Sequence, residues 1–258
     1  MNEHSSIAET AARSAGEFLL KRFRNSLRIE KKGEINLVTD VDRESERIIK
    51  GIILGKYPDH QFLAEEGEKA VSDSEFLWMV DPLDGTTNYA HGFPVFCISI
   101  ALMEKGKINT GCIYNPILDE CFIALKGKGA YLNNLPIKVS GESDLGDSLL
   151  ATGFPYDIRE SDHDNIKEFA AFAKSARAVR RAGSAALDLA YVACGRFDGF
   201  WEFKLSPWDL AAGVLMVAEA GGKVTSYNGE DYDIFSGEAL ASNGKIHTQM
   251  LGVLKRTL

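Results

Sequence analysis

Two aspartates lie where an apolar segment of the sequence ends. Trp78, Met79 and Val80 precede Asp81 and Asp84, which stand three positions apart. An apolar run of this kind is typical of a buried strand, and carboxylates buried there are unfavourable unless a cation or a proton compensates their charge. A divalent metal ion is the simplest compensation, so we expect a metal site here.

The residues around Asp84 also suit an anion. Gly85 lets the backbone turn closely around a ligand, and Thr86 begins a segment whose first backbone N–H groups are free to bind phosphate. Pro82 has no N–H group and is predicted to end the strand. Oxygen ligands for a hard cation beside donors for an anion indicate a metal-assisted phosphate site.

Two more acids adjoin predicted elements. A short strand over residues 61–64 runs into Glu65, and Asp209 precedes an apolar helix predicted over residues 210–220. Strand ends and helix starts meet at one edge of an α/β sheet, so these two acids are expected to converge with the aspartate pair.

Less specific interpretations of the same acids stay open. Asp81 and Asp84 could cap a turn at the strand end, and Asp209 could be only a helix N-cap. Trp208 is predicted to pack in the core, and Glu66 to be solvated.

Composition narrows the class of protein. The chain has 258 residues and a formal net charge of −8, so it has no broad excess of Lys and Arg for nucleic acid or an anionic membrane. No apolar run approaches the roughly 20 residues that span a bilayer. The four cysteines form no C-x-x-C pair, so reduced, mostly buried thiols are expected. These features predict a cytoplasmic protein that binds neither nucleic acid nor membrane.

Apolar periodicity predicts the elements that must position the acids. The fold class is α/β, with an α+β part at residues 1–143, an α/β part at residues 144–258, and one compact unit overall. Helices are expected at residues 5–24, 40–56, 164–176, 184–194 and 210–220. Strands are expected at residues 61–64, 78–81, 96–103, 108–114, 120–125, 178–180, 197–203 and 223–227, with a further hairpin near residues 127–134.

Two motifs together resemble a known family. Asp81–Asn88 (DPLDGTTN) is similar to the first signature of the inositol monophosphatase family, and Trp208–Gly213 (WDLAAG) to its second. The Glu65-Glu66 pair also fits, as does the segment from Lys31 to Asp42. Residues 180–191 resemble the bacterial branch in particular, so the resemblance covers nearly the whole chain.

The resemblance implies a layered α-β-α-β-α sandwich related to fructose-1,6-bisphosphatases. By the same resemblance, the protein is expected to be a homodimer. It further implies two or three Mg²⁺ ions, inhibition by Li⁺ and hydrolysis of small phosphate monoesters. Glu65, Asp84 and Thr86 would be catalytic, with Thr86 and Glu65 orienting a metal-bound water. The implied metal ligands are Glu65, Asp81, the Leu83 carbonyl, Asp84 and Asp209. The implied substrate contacts are Asp84, Gly85, Thr86, Gly183, Ser184, Ala185, Glu202 and Asp209.

Lys31 and Asp42 match residues near an optional third metal and a mobile loop. Two departures from the family pattern are Ala64, where many relatives have glycine, and Asn36, where many have aspartate. Neither removes an implied metal ligand.

Several functions stay open. The expected substrate is a phosphorylated polyol or sugar, first of all myo-inositol 1-phosphate, with fructose 1,6-bisphosphate, 3′-phosphoadenosine 5′-phosphate and histidinol phosphate as alternatives. A haloacid-dehalogenase-type aspartyl nucleophile is disfavoured, because that chemistry needs carboxylates two positions apart and Leu83 stands there. A regulatory protein that acts through partners is the alternative from another class.

Overall fold

A computed structural model of the chain describes residues 2–24, 29–31, 37–67 and 73–257, with backbone alone at 29–31 and 37–39. Lys31 is on a short strand whose side chains are not described, and Asn36 lies outside the described residues. The interpretation of these two residues therefore stays a prediction.

The described residues form both helices and strands. The helices are α1 (Glu3–Arg22), α2 (Asp40–Lys56), α3 (Thr86–Ala90), α4 (Ile166–Ser175), α5 (Ala185–Ala193), α6 (Pro207–Glu219) and α7 (His247–Leu254). The strands are β1 (Ile29–Lys31), β2 (Leu37–Thr39), β3 (Gln61–Ala64), β4 (Phe76–Asp84), β5 (Cys97–Glu104), β6 (Lys107–Asn115), β7 (Glu120–Leu125), β8 (Gly129–Leu132), β9 (Leu135–Ile137), β10 (Leu149–Thr152), β11 (Ala178–Arg180), β12 (Gly199–Glu202), β13 (Lys223–Thr225) and β14 (Ala239–Ser242).

Two sheets carry most of the strands. The first has the order β3-β4-β5-β6-β7-β8-β9, in which β3 and β4 are parallel and the other pairs antiparallel. The second has the order β11-β10-β12-β14-β13, with β10 parallel to both of its neighbours. β1 and β2 form a separate antiparallel pair.

Helices cover both faces of each sheet. Along β4, Trp78 and Val80 pack in a core with α1 and α2, whereas Met79 packs on the opposite face with α5 and α6. This alternation follows from the two-residue period of a strand. Beyond the second sheet, Phe172 of α4 and Met250 of α7 join a third core. The predicted α-β-α-β-α layering is therefore confirmed.

The end of β4 differs from the prediction. The strand does not stop at Pro82 but continues to Asp84, with a register shift against β5 between Asp81 and Asp84. The prediction was wrong because a bulge accommodates a residue that cannot donate a ladder hydrogen bond. The Pro82 carbonyl accepts a hydrogen bond of 2.8 Å from the Ser45 hydroxyl of α2, which fixes the bulge from the helix side.

The predicted elements are confirmed, with ends that differ by a few residues. The elements that sequence periodicity missed are β1, β2, α3, β10, β14 and α7. The segment between β9 and β10 contains residue 143, and the division into two parts there stays a prediction. Within the part of the chain that the structure describes, no helix is both long and apolar enough to cross a membrane.

Gly111 brings β6 against α6 and gives a first prediction. A Cβ atom at this position would lie 2.9 Å from the Ala212 carbonyl oxygen and 3.0 Å from its Cα, so backbone would have to move. We expect Gly111→Ala to lower the free energy of unfolding by about 2 kcal/mol in urea denaturation. Gly51 is an exposed helical control with no neighbour within 4 Å, and Gly51→Ala is expected to raise stability by up to about 1 kcal/mol. Equal effects of the two changes would contradict the close approach.

Candidate active site

One cavity of about 610 Å³ holds the acids that the sequence singled out. They reach it from the end of β3, the bulged end of β4 and the first turn of α6. The predicted site residues that line the cavity are Glu65, Asp81, Leu83, Asp84, Gly85, Thr86, Gly183, Ser184, Ala185, Glu202 and Asp209. The structure thus brings together residues from five separate segments, whose individual roles stay predictions.

The bulge of β4 shapes the first wall. Asp81 is buried, and its Oδ1 accepts a hydrogen bond of 2.9 Å from the Leu83 backbone N–H. This local ring holds the Asp81 carboxylate at the point where the strand departs from its register. Its second oxygen takes no part in that bond.

Asp84 is held by three donors. Its Oδ2 accepts hydrogen bonds from the Ser184 hydroxyl at 2.7 Å and the Ala186 N–H at 2.8 Å, and a weaker one from the Cys97 thiol at 3.7 Å. The Ser184 hydroxyl, which the resemblance directs at substrate, therefore orients Asp84. The start of α5 and the end of β4 are joined through this carboxylate.

Asp209 serves the helix as well as the cavity. Its Oδ2 accepts a hydrogen bond of 2.7 Å from the Ser206 N–H, which closes a capping box at the start of α6. The interpretation of Asp209 as the helix N-cap is wrong, because Ser206 is the N-cap and Asp209 is the third residue of the helix. The Asp209 side chain also lines the cavity. Trp208 is partly buried against the core between the sheets, as predicted.

Thr86 has a buried partner. Its hydroxyl lies 2.8 Å from Asp42 Oδ1 and 3.0 Å from the Leu83 carbonyl oxygen, both acceptors. Asp42 is 1% exposed and is not among the residues that line the cavity. The sequence placed Asp42 near an optional metal, whereas the structure places it behind Thr86, where it orients the hydroxyl.

Asn88 ties the first motif to the loop before α5. Its Nδ2 donates hydrogen bonds to the carbonyl oxygens of Val95 at 2.7 Å and Ala182 at 2.8 Å. Gly183 follows in the left-handed region with φ of +85°, which favours glycine. This explains why the motif ends in an amide side chain.

Comparison with known proteins agrees with this geometry. The sequence profile of the inositol monophosphatase family matches residues 1–257. The chain belongs to the inositol monophosphatase family. The family resemblance and the fold class expected from the sequence are therefore confirmed, and family membership supports phosphatase activity.

Three relatives represent the similarity. The inositol-1-monophosphatase of Synechocystis sp. is 45% identical over 253 residues, covering 97% of this chain and 88% of the relative. Nus factor SuhB of Pseudomonas aeruginosa is 41% identical over 258 residues, covering 96% and 94%. The solved structure of inositol monophosphatase from Anabaena sp. is 46% identical with a TM-score of 0.90, covering 99% and 96%.

Members of the inositol monophosphatase family are generally Mg²⁺-dependent. The negative charge of the acids in this cavity suits a cation. Burial and the charges of Glu65, Asp84 and Asp209 raise the pKa of Asp81 well above its ordinary value. Burial and the Asp84 charge raise the pKa of Asp209 to about 8. Four oxygen-bearing acids that repel one another in a buried site suit a hard divalent ion.

The acidic side chains of the cavity do not surround an ion-sized space in their present orientations. Among the residues that the structure describes, no group of three or more His, Cys, Asp or Glu side chains has the geometry to hold a metal. The shared cavity and the mutual repulsion of the acids are compatible with a bound cation, which would compensate their charge as protons do in its absence. Small side-chain rotations are thus expected on binding.

These acids predict a pH dependence of stability. The pKa of Glu202 is raised to about 8 by burial and by the charges of Asp209 and Asp84, and that of Asp209 also to about 8. Because the folded pKa exceeds the unfolded one, each group stabilises the fold at low pH and loses that contribution as the pH rises through the folded pKa.

We expect Tm in EDTA to fall from about pH 5 to about pH 8, and Mg²⁺ to raise Tm more at the higher pH, where it competes with fewer protons. Thermal unfolding by circular dichroism measures both effects. Asp209→Asn removes one of the titrating groups and should flatten the slope in EDTA. A Tm in EDTA that rises over this range would contradict the assignment.

One acid of the site escaped sequence reasoning. Asp188 lines the cavity and is 1% exposed, and its Oδ1 has no hydrogen-bond partner among the residues that the structure describes. Burial and the charge of Glu202 raise its pKa well above the ordinary value. The signal was a single charged residue inside the apolar helix α5, where ordinary helix amphipathicity does not account for it.

Proposed function

We propose that this chain hydrolyses small phosphate monoesters in a Mg²⁺-dependent reaction, with myo-inositol 1-phosphate as the preferred substrate. The observation that carries the proposal is the meeting of Glu65, Asp81, Asp84 and Asp209 in one cavity with the Thr86 hydroxyl. These four acids and the Leu83 carbonyl would hold the metal. Bound there, Mg²⁺ would polarise the phosphate, favour deprotonation of a water and neutralise charge on the leaving oxygen.

Residues of the chain itself would position the attacking water and the phosphate. Thr86 would hold the attacking water in line with phosphorus, because Asp42 and the Leu83 carbonyl restrict the orientation of its hydroxyl. The backbone N–H groups of Gly85 and Thr86, at the start of α3, would donate to phosphate oxygens.

Other residues of the cavity suit a leaving group with several hydroxyls. Glu202 and the segment from Gly183 to Ala185 also line the cavity, and carboxylate and carbonyl oxygens accept hydrogen bonds from hydroxyls. A polyol therefore matches this lining better than an apolar alcohol. Fructose 1,6-bisphosphate, 3′-phosphoadenosine 5′-phosphate and histidinol phosphate remain the alternative substrates.

Direct attack by water is proposed over a covalent aspartyl phosphate. The residue two positions after Asp81 is Leu83, which is 1% exposed and has no nucleophilic side chain. No phosphoenzyme should therefore be trapped by acid quenching during turnover. Recovery of phosphate on Asp81 or Asp84 would contradict this part of the proposal.

Phosphate release from myo-inositol 1-phosphate, with Mg²⁺ or with EDTA, tests the function. We expect release only with Mg²⁺, and a higher kcat/KM than for the three alternative substrates. Asp81→Asn, purified in parallel, controls for contaminating phosphatases. A wild-type protein inert on every ester, or equally active in EDTA, would show the proposal to be wrong.

A second role stands beside this proposal. The Pseudomonas aeruginosa relative is named Nus factor SuhB. A function that depends on a partner is therefore an alternative for this chain, in contrast to the charge-based expectation that it does not bind nucleic acid. Li⁺ inhibition and a homodimer also stay proposals. Wild-type and Asp81→Asn proteins would act alike in a partner-dependent role, whereas hydrolysis separates them.

A further inference from the structure

One aromatic residue at the cavity is unlike the others. Among the aromatic side chains that line the cavity in the described part of the chain, Tyr156 is the exposed one, at 58%, whereas Phe203 is 3% exposed and Phe154 and Trp208 are partly buried. A large exposed aromatic ring beside an acidic cavity is available for contact with a bound molecule.

Tyr156 lines the same cavity as the predicted metal ligands Glu65 and Asp209. Burial, followed by the charges of these two acids, raises the pKa of its phenol above the ordinary value. Tyr156 is therefore accessible to solvent and at the same time close to the predicted metal ligands.

The backbone around Tyr156 is fixed on both sides. Before it, Asn165 Nδ2 donates to the Gly153 carbonyl at 2.6 Å and to the Thr152 hydroxyl at 2.8 Å. The Asn165 side chain is itself held by Trp201, whose indole N–H donates to its Oδ1 at 2.8 Å. The strand end that leads into the turn is thus anchored in the core of the second sheet.

After Tyr156, a lysine fixes the turn. Lys204 Nζ donates to Asp157 Oδ2 and to the Ser161 hydroxyl, each at 2.7 Å, and the Ile158 N–H donates to the Pro155 carbonyl at 3.1 Å. The turn is therefore attached to the segment between β12 and α6, which leads into the first turn of α6 and Asp209. A side chain on such a support is preorganised for binding.

The position of the acids indicates which part of the substrate Tyr156 would contact. In the proposed function the cation and phosphate would lie at Asp81, Asp84 and Glu65, of which the two aspartates are buried, so the alcohol part of the substrate would extend toward the exposed side of the cavity where Tyr156 lies. A tyrosine there presents a flat apolar face and a hydroxyl that both donates and accepts. That combination matches a ring that has C–H groups on its faces and hydroxyls at its edge.

We propose that Tyr156 recognises the leaving alcohol, its ring packing on the C–H face of a cyclic polyol and its hydroxyl bonding to a polyol hydroxyl. The inference rests on the proposed phosphatase function and names a specificity residue for it. Tyr156 thereby favours cyclic polyol and sugar phosphates over esters of alcohols without such hydroxyls. It plays no part in the attack on phosphorus.

Two substitutions and two substrates distinguish the contribution of the Tyr156 ring to KM from that of its hydroxyl. Tyr156→Phe should raise KM for myo-inositol 1-phosphate about fivefold, the loss of one neutral hydrogen bond, with kcat changed less than about twofold. KM for p-nitrophenyl phosphate, whose leaving group lacks hydroxyls, should not change. Tyr156→Ala removes the ring as well and should raise KM for both substrates, by about 30-fold for the inositol ester.

Phe235→Ala is the matched control. Phe235 is 57% exposed, nearly as exposed as Tyr156, and does not line the cavity. Its substitution should leave both substrates unaffected, while p-nitrophenyl phosphate hydrolysis shows that each Tyr156 variant is folded.

The outcomes are distinct. KM values for the inositol ester within twofold of wild type in both Tyr156 variants would overturn the inference. An equal fall of kcat for both substrates in Tyr156→Phe would also overturn it, because the hydroxyl would then act at the phosphate. In either case, Mg²⁺-dependent hydrolysis by the wild type would leave the proposed function standing, whereas an inert wild type overturns both.

Discussion

Asp84→Asn is expected to lower kcat for phosphate ester hydrolysis at least about a thousandfold, a loss of about 4 kcal/mol of transition-state stabilisation, while the fold is retained. One carboxylate oxygen of Asp84 accepts hydrogen bonds from both the Ser184 hydroxyl and the Ala186 N–H. An asparagine carbonyl can accept the same bonds. Its amide would then occupy the other carboxylate position, where it can neither bind a cation nor carry charge.

The same substitution should not weaken folding. Burial raises the pKa of Asp84, so the ionised carboxylate is unfavourable in the absence of a cation, and a neutral amide relieves that repulsion. The free energy of unfolding in EDTA, measured in urea, is expected to stay equal or to rise. Mg²⁺ should stabilise the variant less than the wild type.

Asp188→Asn is the matched control for Asp84→Asn. Both acids are buried in the same cavity wall, but Asp188 is outside the predicted ligand set. Its substitution should lower kcat less than about tenfold, since it removes charge without removing a ligand. Equal losses in the two variants would show that general negative charge, rather than a metal site, sustains activity.

The convergence of the acids could be predicted because each one directly adjoins an apolar element. Glu65 follows β3, Asp81 and Asp84 end β4, and Asp209 begins α6, and every one of these elements has a clear apolar pattern. An acid at the end of a buried element has few roles other than capping or ligand binding. The types of these residues and the apolar periodicity of the neighbouring elements therefore indicate the same site.

Contacts between distant segments could not be predicted in the same way. Asp42 and Thr86 are 44 positions apart, and their hydrogen bond depends on how α2 lies across β4. The polar and apolar faces of α2 define which side is buried, not which residue of the first turn reaches α3. The role of Asp42 behind Thr86 thus required the structure.

Short strands buried on both faces were missed for another reason. β10 and β14 have four residues each and carry almost no alternation of polar and apolar side chains. A run of this length does not distinguish a strand from part of a buried helix. The bulge at Pro82 was missed because proline marks only the loss of a donor, and the register shift that absorbs it depends on β5.

Thr86→Ala is expected to lower kcat by about two to three orders of magnitude, the usual range for loss of a group that positions or relays a proton. The Thr86 hydroxyl has one proton, which it directs at Asp42 Oδ1 or at the Leu83 carbonyl. Its lone pairs are thereby left to accept a hydrogen bond from the attacking water. Without the hydroxyl, the water loses its orientation, whereas the backbone N–H that would bind phosphate is retained.

The conservative variant distinguishes this role from packing. Thr86→Ser keeps the hydroxyl and should retain kcat within about tenfold of wild type, with some loss because serine is less restricted at χ1. KM should change little in either variant, since the contact strengthens in the transition state. A kcat for Thr86→Ala close to that of wild type, or a defect confined to KM, would contradict the assignment.

A double-mutant cycle tests whether Asp42 acts through Thr86. Asp42 does not line the cavity, so its effect on the reaction has to pass through the hydroxyl that it orients. Asp42→Asn alone should lower kcat, but added to Thr86→Ala it should lower kcat no further, because two groups that act as one unit are not additive. Additive losses would instead mean that Asp42 contributes by a separate route, such as an effect on the optional third metal near which the family resemblance places it.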